Sequence, residues 1–399
     1  MKTYIPNQDN VKALGRTCFV EDTLWMAFSG TGAAFTFRGS KAAVTLLGDN
    51  TAVPVEGTGD LADEDVAASN NAEAVKDGNA EANIQSEANV TTHQDTASQS
   101  EGEDVQTRIA IYVNGRRVVD DMMDAPKKEY LVFESEQAED CLVEIVKLSE
   151  TAMSTVGIQS IAIEAEDGIH PAPEKAHYVE IIGDSITCGY GVDDEVAEHH
   201  FSTKTEDVTK GYAWHTVKTL DVDYSLVCIS GYGLVSGYVG EGEPKKPEQT
   251  MQQYYDKLGF SYGEYLGRKA AESEWAFNRQ PELIVINLGT NDDSYALDDS
   301  ERQEEYRLAY IAFLKQVRSK NPKAKILCTL GIMGDRLFPI LEKAVEAYKG
   351  ETGDTDVRTM RFTPQLLEDG YVADYHPTVI THKKAADKLT GEIKALMGW

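Results

Sequence analysis

The chain has 399 residues, 41% of them hydrophobic, and a formal net charge of -29 at pH 7. That length exceeds one typical core and sets an expectation of two domains. The charge repels nucleic-acid phosphates and anionic membrane surfaces, so neither is expected as a partner, and no run reaches the roughly 20 apolar residues of a membrane span.

Cys18, Cys141, Cys188, Cys228 and Cys328 are odd in number and widely spaced, which argues against a disulfide framework and against a structural zinc site. The opening residues Met1-Lys2-Thr3-Tyr4 lack the apolar stretch of a secretory signal. The chain as it stands is therefore expected in the cytoplasm, or outside the cell if it is a processed form.

Residues 1–170 read as β-rich. Leu24–Phe28, Ala34–Phe37, Ala42–Leu47, Arg108–Val113, Tyr130–Phe133, Val143–Val146 and Gly157–Ile163 are short runs rich in β-branched or aromatic residues. Asn114-Gly115 between two such runs predicts a hairpin. Strands without intervening helices imply a β-sandwich. Residues 49–106 interrupt it: between Asp49 and Asp104 there are 14 acidic residues against the single Lys76, and no aromatic. Such a segment buries too little apolar area to offset its ordering entropy, so a disordered acidic insertion is expected, either solvated filler or a docking tail for a basic partner.

Pro171-Ala172-Pro173 marks a boundary, and residues 174–399 change rhythm. His177–Ile182, Tyr224–Ile229, Leu283–Leu288 and Lys325–Leu330 are apolar runs typical of buried parallel strands. Between and after them, Glu301–Lys320, Leu337–Tyr348 and Thr381–Met397 show helical periodicity. The expected architecture of this part is a doubly wound α/β sheet, whose ligands gather beyond the carboxyl ends of its strands.

Four motifs fall there. Val179-Glu180-Ile181-Ile182 runs into Gly183-Asp184-Ser185, which leaves a serine at a strand end, able to present both its hydroxyl and its own N–H. Ser230-Gly231-Tyr232-Gly233 follows the next strand, where the Gly231 N–H can approach a substrate closely. Leu283–Asn287 leads into Gly289-Thr290-Asn291-Asp292, and Asp374-Tyr375-His376-Pro377 stands just before the terminal helix. A histidine there can take the proton of Ser185 and deliver it to a leaving alcohol.

Together these blocks resemble the SGNH, or GDSL-type, hydrolases. The resemblance implies a flavodoxin-like hydrolase domain with Ser185 as nucleophile and His376 as base. Ser185 N–H, Gly231 N–H and the Asn291 amide are then the oxyanion donors. The wider superfamily pattern is Asp-x-x-His, but Ala373 occupies that position and Asp374 lies only two residues from His376. The Asp-aromatic-His-Pro wording is more similar to carbohydrate esterase family 2, in which some members use a Ser–His dyad oriented by a backbone carbonyl. Asp374 is therefore one candidate orienting group and a carbonyl the other. That narrower family also couples an amino-terminal jelly-roll-like sandwich to the hydrolase domain, in agreement with the two-part pattern.

The implied activity is removal of O-acetyl groups from carbohydrates such as xylan, mannan or gluco-oligosaccharides, with no metal or organic cofactor. A short-chain esterase or lysophospholipase, and a non-catalytic carbohydrate-binding protein, are the alternatives. His199-His200 near Asp193 and Asp194 reads as a polar loop rather than a metal site, and Cys188 as a packed thiol. Tyr232, Tyr238, Tyr254, Tyr255 and Trp275 are candidates either for a sugar-stacking cleft or for core packing.

Overall fold

The computed structural model of the chain describes residues 1–52, 105–165 and 167–399. It is a mixed α/β structure built on two main sheets. The strands up to Pro171 join one ten-stranded antiparallel sheet.

Runs expected as separate strands are continuous. Ala34–Phe37 and Ala42–Leu47 belong to one strand, Gly32–Gly48. Tyr130–Phe133 and Val143–Val146 belong to another, Lys127–Lys147. The two pair along their length through register shifts at Gly39/Lys41 and Ala42/Ala43, and such bulges bend a strand. The first part of Gly32–Gly48 takes Lys12–Leu14 and His170–Pro171 as further neighbours, and the second part takes Val156–Ala165. Phe35 and Phe37 from one part and Val44 and Leu46 from the other share a core with Ile111, Val143 and Ile161. The predicted hairpin is present: Asn114 and Gly115 both have positive φ, as a two-residue turn joining twisted strands needs.

The acidic insertion expected over 49–106 falls largely on residues 53–104, outside the described residues. Its expected limits were too wide. Asp49 is buried, and its carboxylate accepts from the Thr155 N–H (2.6 Å) and hydroxyl (3.0 Å). The Thr107 hydroxyl donates to the Thr155 carbonyl at 3.3 Å. Both flanks are thus tied to one residue, and composition concealed this because Asp49 looked like one more solvated acid.

From Tyr178 the chain forms a five-stranded parallel sheet: Tyr178–Gly183, Asp223–Cys228, Leu283–Asn287, Lys325–Leu330 and Val357–Arg361. Numbered along the chain, the spatial order is 2-1-3-4-5. Alternate residues of the strands face opposite layers. Val179, Ile181 and Val285 pack with Tyr212, Val217, Leu389 and Ile393 of the helices Tyr212–Leu220 and Val379–Met397. Ile182, Ile284 and Ile286 pack with Tyr310, Phe313, Leu341 and Val345 of Ser300–Lys320 and Phe338–Thr352. Among the described residues, no helix is long and apolar enough to cross a membrane.

The two sheets meet across a buried seam. Leu14, Ala34, Val146 and Leu148 lie in the same cluster as Val179 and Leu226. Arg16, fully buried, bonds Glu180 at 3.2 Å and the carbonyls of Tyr255 and Lys257.

Candidate active site

The first strand of the parallel sheet is bonded on both sides, with Gly183 opposite Cys228 and Asn287. Residues just beyond these three positions therefore leave the sheet side by side. Between strands 1 and 3 the strand order reverses, which is where an open α/β sheet opens a crevice.

Ser185 begins a one-turn helix, Ser185–Cys188, whose N-cap Asp184 accepts from the Ile186 N–H at 3.1 Å. A Cβ on Gly183 would lie 2.0 Å from the Thr187 hydroxyl, so this tight turn requires glycine. The Ser185 Oγ is 2.9 Å from His376 Nε2. On the other side of the ring, Nδ1 lies 3.2 Å from the carbonyls of both Ala373 and Asp374. A carbonyl can only accept, so Nδ1 carries the hydrogen and Nε2 presents its lone pair to the serine hydroxyl. Burial pushes His376 down to about 4, against the opposing influence of the Asp374 charge and the carbonyls. The imidazole is thus a neutral base at neutral pH.

Asp374 does not fill the role of orienting carboxylate. It sits in the left-handed region (φ 50°), and its carboxylate turns to the Tyr190 hydroxyl (2.5 Å) and His200 Nδ1 (2.9 Å). Its carbonyl, together with that of Ala373, reaches the imidazole instead. The Tyr190 ring stacks on His376 with centroids 4.0 Å apart, so the carboxylate bears on the histidine through the tyrosine it holds.

Gly231 has φ 77°, and a Cβ there would meet nothing within 4 Å, so the space beside its Cα is open. Asn291 links the blocks: its Nδ2 donates to the Tyr232 carbonyl at 2.9 Å and lies 3.5 Å from Asp184 Oδ2. Among the described residues, the backbone N–H groups of Ser185 and Gly231 take part in no hydrogen bond.

Three contributors were given no role of their own in the sequence. Asp292, fully buried, accepts from the N–H groups of Leu234 (2.9 Å), Val235 (2.6 Å) and Ser236 (3.3 Å), shaping the loop after Gly231. Burial raises it to about 6 despite these bonds. Gly233 lets it approach, since a Cβ there would lie 2.7 Å from the Asp292 carboxyl carbon. Tyr190 is the second, and Glu150, whose carboxylate accepts from the Ser230 N–H at 2.9 Å, is the third.

The aromatic candidates divide. Tyr255 is buried and bonds Glu180, and Trp275 lies beside Arg16, so both serve packing. Tyr232 and Tyr254 continue through Phe260 to the exposed Tyr262 as a chain of touching rings. The backbone N–H of the half-exposed Tyr238 donates to the Gly231 carbonyl at 2.8 Å. His199 pairs with Asp194, and burial pushes the Cys188 thiol well up, which leaves it a packed neutral group. Cys188, Glu150 and Glu206 bring potential ligand atoms within 4.8 Å of one another. That thiol is protonated, however, and the ammonium of Lys147 lies close enough to act on both carboxyls.

Residues 181–384, just over half of the chain, match the model of the GDSL-like lipase/acylhydrolase family. A cellulase/esterase, CelE, of Acetivibrio thermocellus is 33% identical over 226 residues, covering 55% of this chain and 26% of the relative. An acetylxylan esterase/glucomannan deacetylase of Cellvibrio japonicus is 27% identical over 282 residues, covering 69% of this chain and 73% of the relative. The chain thus spans about a quarter of the first relative and about three quarters of the second. Among solved structures, an acetyl xylan esterase from the rumen bacterium Butyrivibrio proteoclasticus superposes with a TM-score of 0.78 at 21% identity, covering 100% of this chain and 99% of that one. A family two carbohydrate esterase from Clostridium thermocellum, in complex with cellohexaose, gives 0.73 at 22% identity, covering 98% and 99%.

Proposed function

Because the chain belongs to the GDSL-like lipase/acylhydrolase family, we propose that it is a serine esterase that removes O-acetyl groups from carbohydrates. The observation that carries this reading is the Ser185–His376 pair, a hydroxyl 2.9 Å from a ring nitrogen whose partner nitrogen donates to two carbonyls. The names of the two curated relatives support the sugar-ester substrate. We further propose a division into a jelly-roll-like β-sandwich domain over 1–170 and a flavodoxin-like hydrolase domain over 174–399, the arrangement of carbohydrate esterase family 2.

In the proposed reaction the Ser185 oxygen bonds to the acetyl carbonyl carbon as His376 Nε2 takes the hydroxyl proton. The negative charge that develops on the carbonyl oxygen is met by the N–H groups of Ser185 and Gly231, and by the second N–H of the Asn291 amide as it gives up its long 3.5 Å contact with Asp184. One such donor is worth about 10²–10³ in kcat. The imidazolium gives its proton to the sugar oxygen as the C–O bond breaks, leaving acetyl-Ser185. Water, deprotonated by the same nitrogen, then attacks the acetyl carbon; the bond to Ser185 Oγ breaks, the imidazolium returns its proton to that oxygen, and acetate leaves. Every proton in this cycle passes through His376 Nε2.

Acetate release from acetylated xylo- or gluco-oligosaccharides, measured beside p-nitrophenyl acetate hydrolysis, tests the reading. Both activities are expected in the wild type and neither in Ser185→Ala. Activity on the aryl ester alone would retain the serine mechanism and remove the sugar substrate, while inactivity of folded wild type on both would remove the esterase reading.

A further inference from the structure

The Ser230–Gly231 peptide carries the oxyanion donor N–H, and that N–H has no internal partner to hold its direction. What holds it is anchored on either side. Downstream, the Gly231 carbonyl accepts from the Tyr238 N–H at 2.8 Å. Upstream, the Ser230 N–H donates to Glu150 Oε2 at 2.9 Å. Glu150 is 80 residues away in sequence and follows the last residues of the long strand Lys127–Lys147, in the half of the molecule that contains no reacting group.

Glu150 is itself fixed along its backbone. Its N–H donates to Glu206 Oε2 at 2.6 Å, and its carbonyl accepts from Lys147 Nζ at 2.7 Å. Lys147 also donates to the Ser149 carbonyl at 2.7 Å. Glu150, Glu206 and Lys147 are each at most 1% exposed. Taking a carboxylate out of water is costly, and a neutral carbonyl would satisfy one backbone N–H at lower cost. Burial holds the Glu150 carboxyl above its ordinary range, so what it offers is position: an oxygen 2.9 Å from the Ser230 N–H, on a residue whose own N–H and carbonyl are both bonded.

We propose that Glu150 is a positioning residue for the oxyanion site: its carboxylate, delivered across the seam, fixes the Ser230 backbone so that the Gly231 N–H stays aimed at the reacting carbonyl oxygen. The inference rests on the serine-esterase reading and adds a residue to it. It also makes the antiparallel half a working part of the reaction centre, independent of any contact with sugar.

The test compares Glu150→Ala, Glu150→Asp and Glu150→Gln with the wild type on p-nitrophenyl acetate, at a temperature well below each melting midpoint. Glu150→Ala lacks the acceptor, Glu150→Asp falls one methylene short, and Glu150→Gln retains an oxygen at full reach. Alanine and aspartate are expected to lower kcat by about tenfold to a hundredfold with KM nearly unchanged, and glutamine to restore most of it. If the alanine variant does not fold, the aspartate and glutamine variants carry the comparison. Wild-type kcat in folded Glu150→Asp or Glu150→Ala would overturn the proposal, as would a change confined to KM. The rate at which a fluorophosphonate labels Ser185 separates the two readings. A wild type that resists labelling counts against the esterase itself, whereas labelling equally fast in wild type and variants counts against Glu150 alone.

Discussion

At the scale of single residues, a base held by carbonyls behaves differently from one held by a carboxylate. In a triad whose carboxylate grips the imidazole directly, replacing that carboxylate by an amide costs about 10⁴ in kcat. Here the Asp374 carboxylate touches Tyr190 and His200, and Asn can still accept from the Tyr190 hydroxyl. Asp374→Asn is therefore expected to keep kcat within about tenfold of wild type, a loss far below the triad value; a ten-thousandfold fall would restore the carboxylate to the mechanism. The pH profile follows from the same site. His376 acts as a base only when neutral, and burial places its protonation at about 4. As pH falls through about 4, kcat/KM is expected to fall, with no decline on the way down from neutrality due to this group; an acid limb centred near 6.5 would indicate an imidazole exposed to water. Ser185, Gly231 and Asn291 were proposed from short patterns that follow apolar runs and His376 from one that precedes the terminal helix, and the fold brings Ser185 and His376 together. The orientation of Asp374 was not legible, because a left-handed backbone turn decides it.

At the scale of elements, hydrophobic rhythm located most of the parallel sheet and its helices. Leu283–Leu288 and Glu301–Lys320 were read within a residue of their limits. Val357–Arg361 was missed because Val-Arg-Thr-Met-Arg alternates over only five residues, and Tyr212–Leu220 because nine residues give too few turns for a clear stripe. The loop after Gly231 also escaped, since its scaffold is the carboxylate of Asp292, 58 residues away from Leu234. Asp292→Ala would leave three backbone N–H groups without their acceptor. Buried donors orphaned in this way cost about 1–3 kcal/mol each before relaxation, and a net loss of about 3 kcal/mol is expected in urea unfolding. A loss below about 0.5 kcal/mol would mean that the loop holds its shape unaided.

At the scale of the whole molecule, the two sheets are joined by charged groups taken out of water as well as by apolar packing. Arg16 and Glu180 are 0% and 2% exposed, and Arg16 is ringed by Phe28, Tyr255, Trp275 and Phe277. Removing one member of such a pair strands the other, at a cost of about 3–5 kcal/mol. Arg16→Met is expected to lower the melting temperature of the entire chain in a single transition, checked by calorimetry. Two separated transitions, with the upper one at the wild-type midpoint, would show that the halves unfold independently. Sequence reasoning divided the chain at Pro171-Ala172-Pro173 but could not see this seam, because its partners lie on opposite sides of that division.

Asp49 and Thr107 both fasten to Thr155, and this has a practical consequence for what can hang between them. Neighbours in space that are far apart along the chain form a port, where cargo of varied length can be exchanged without retuning the fold, since loop closure changes by only about 0.6 kcal/mol per doubling of length. Replacing residues 53–104 with a short Gly/Ser linker is expected to leave kcat/KM unchanged and the melting temperature no lower. The same port would then accept an affinity tag or a fluorescent reporter, carried at a point remote in sequence from every reacting group.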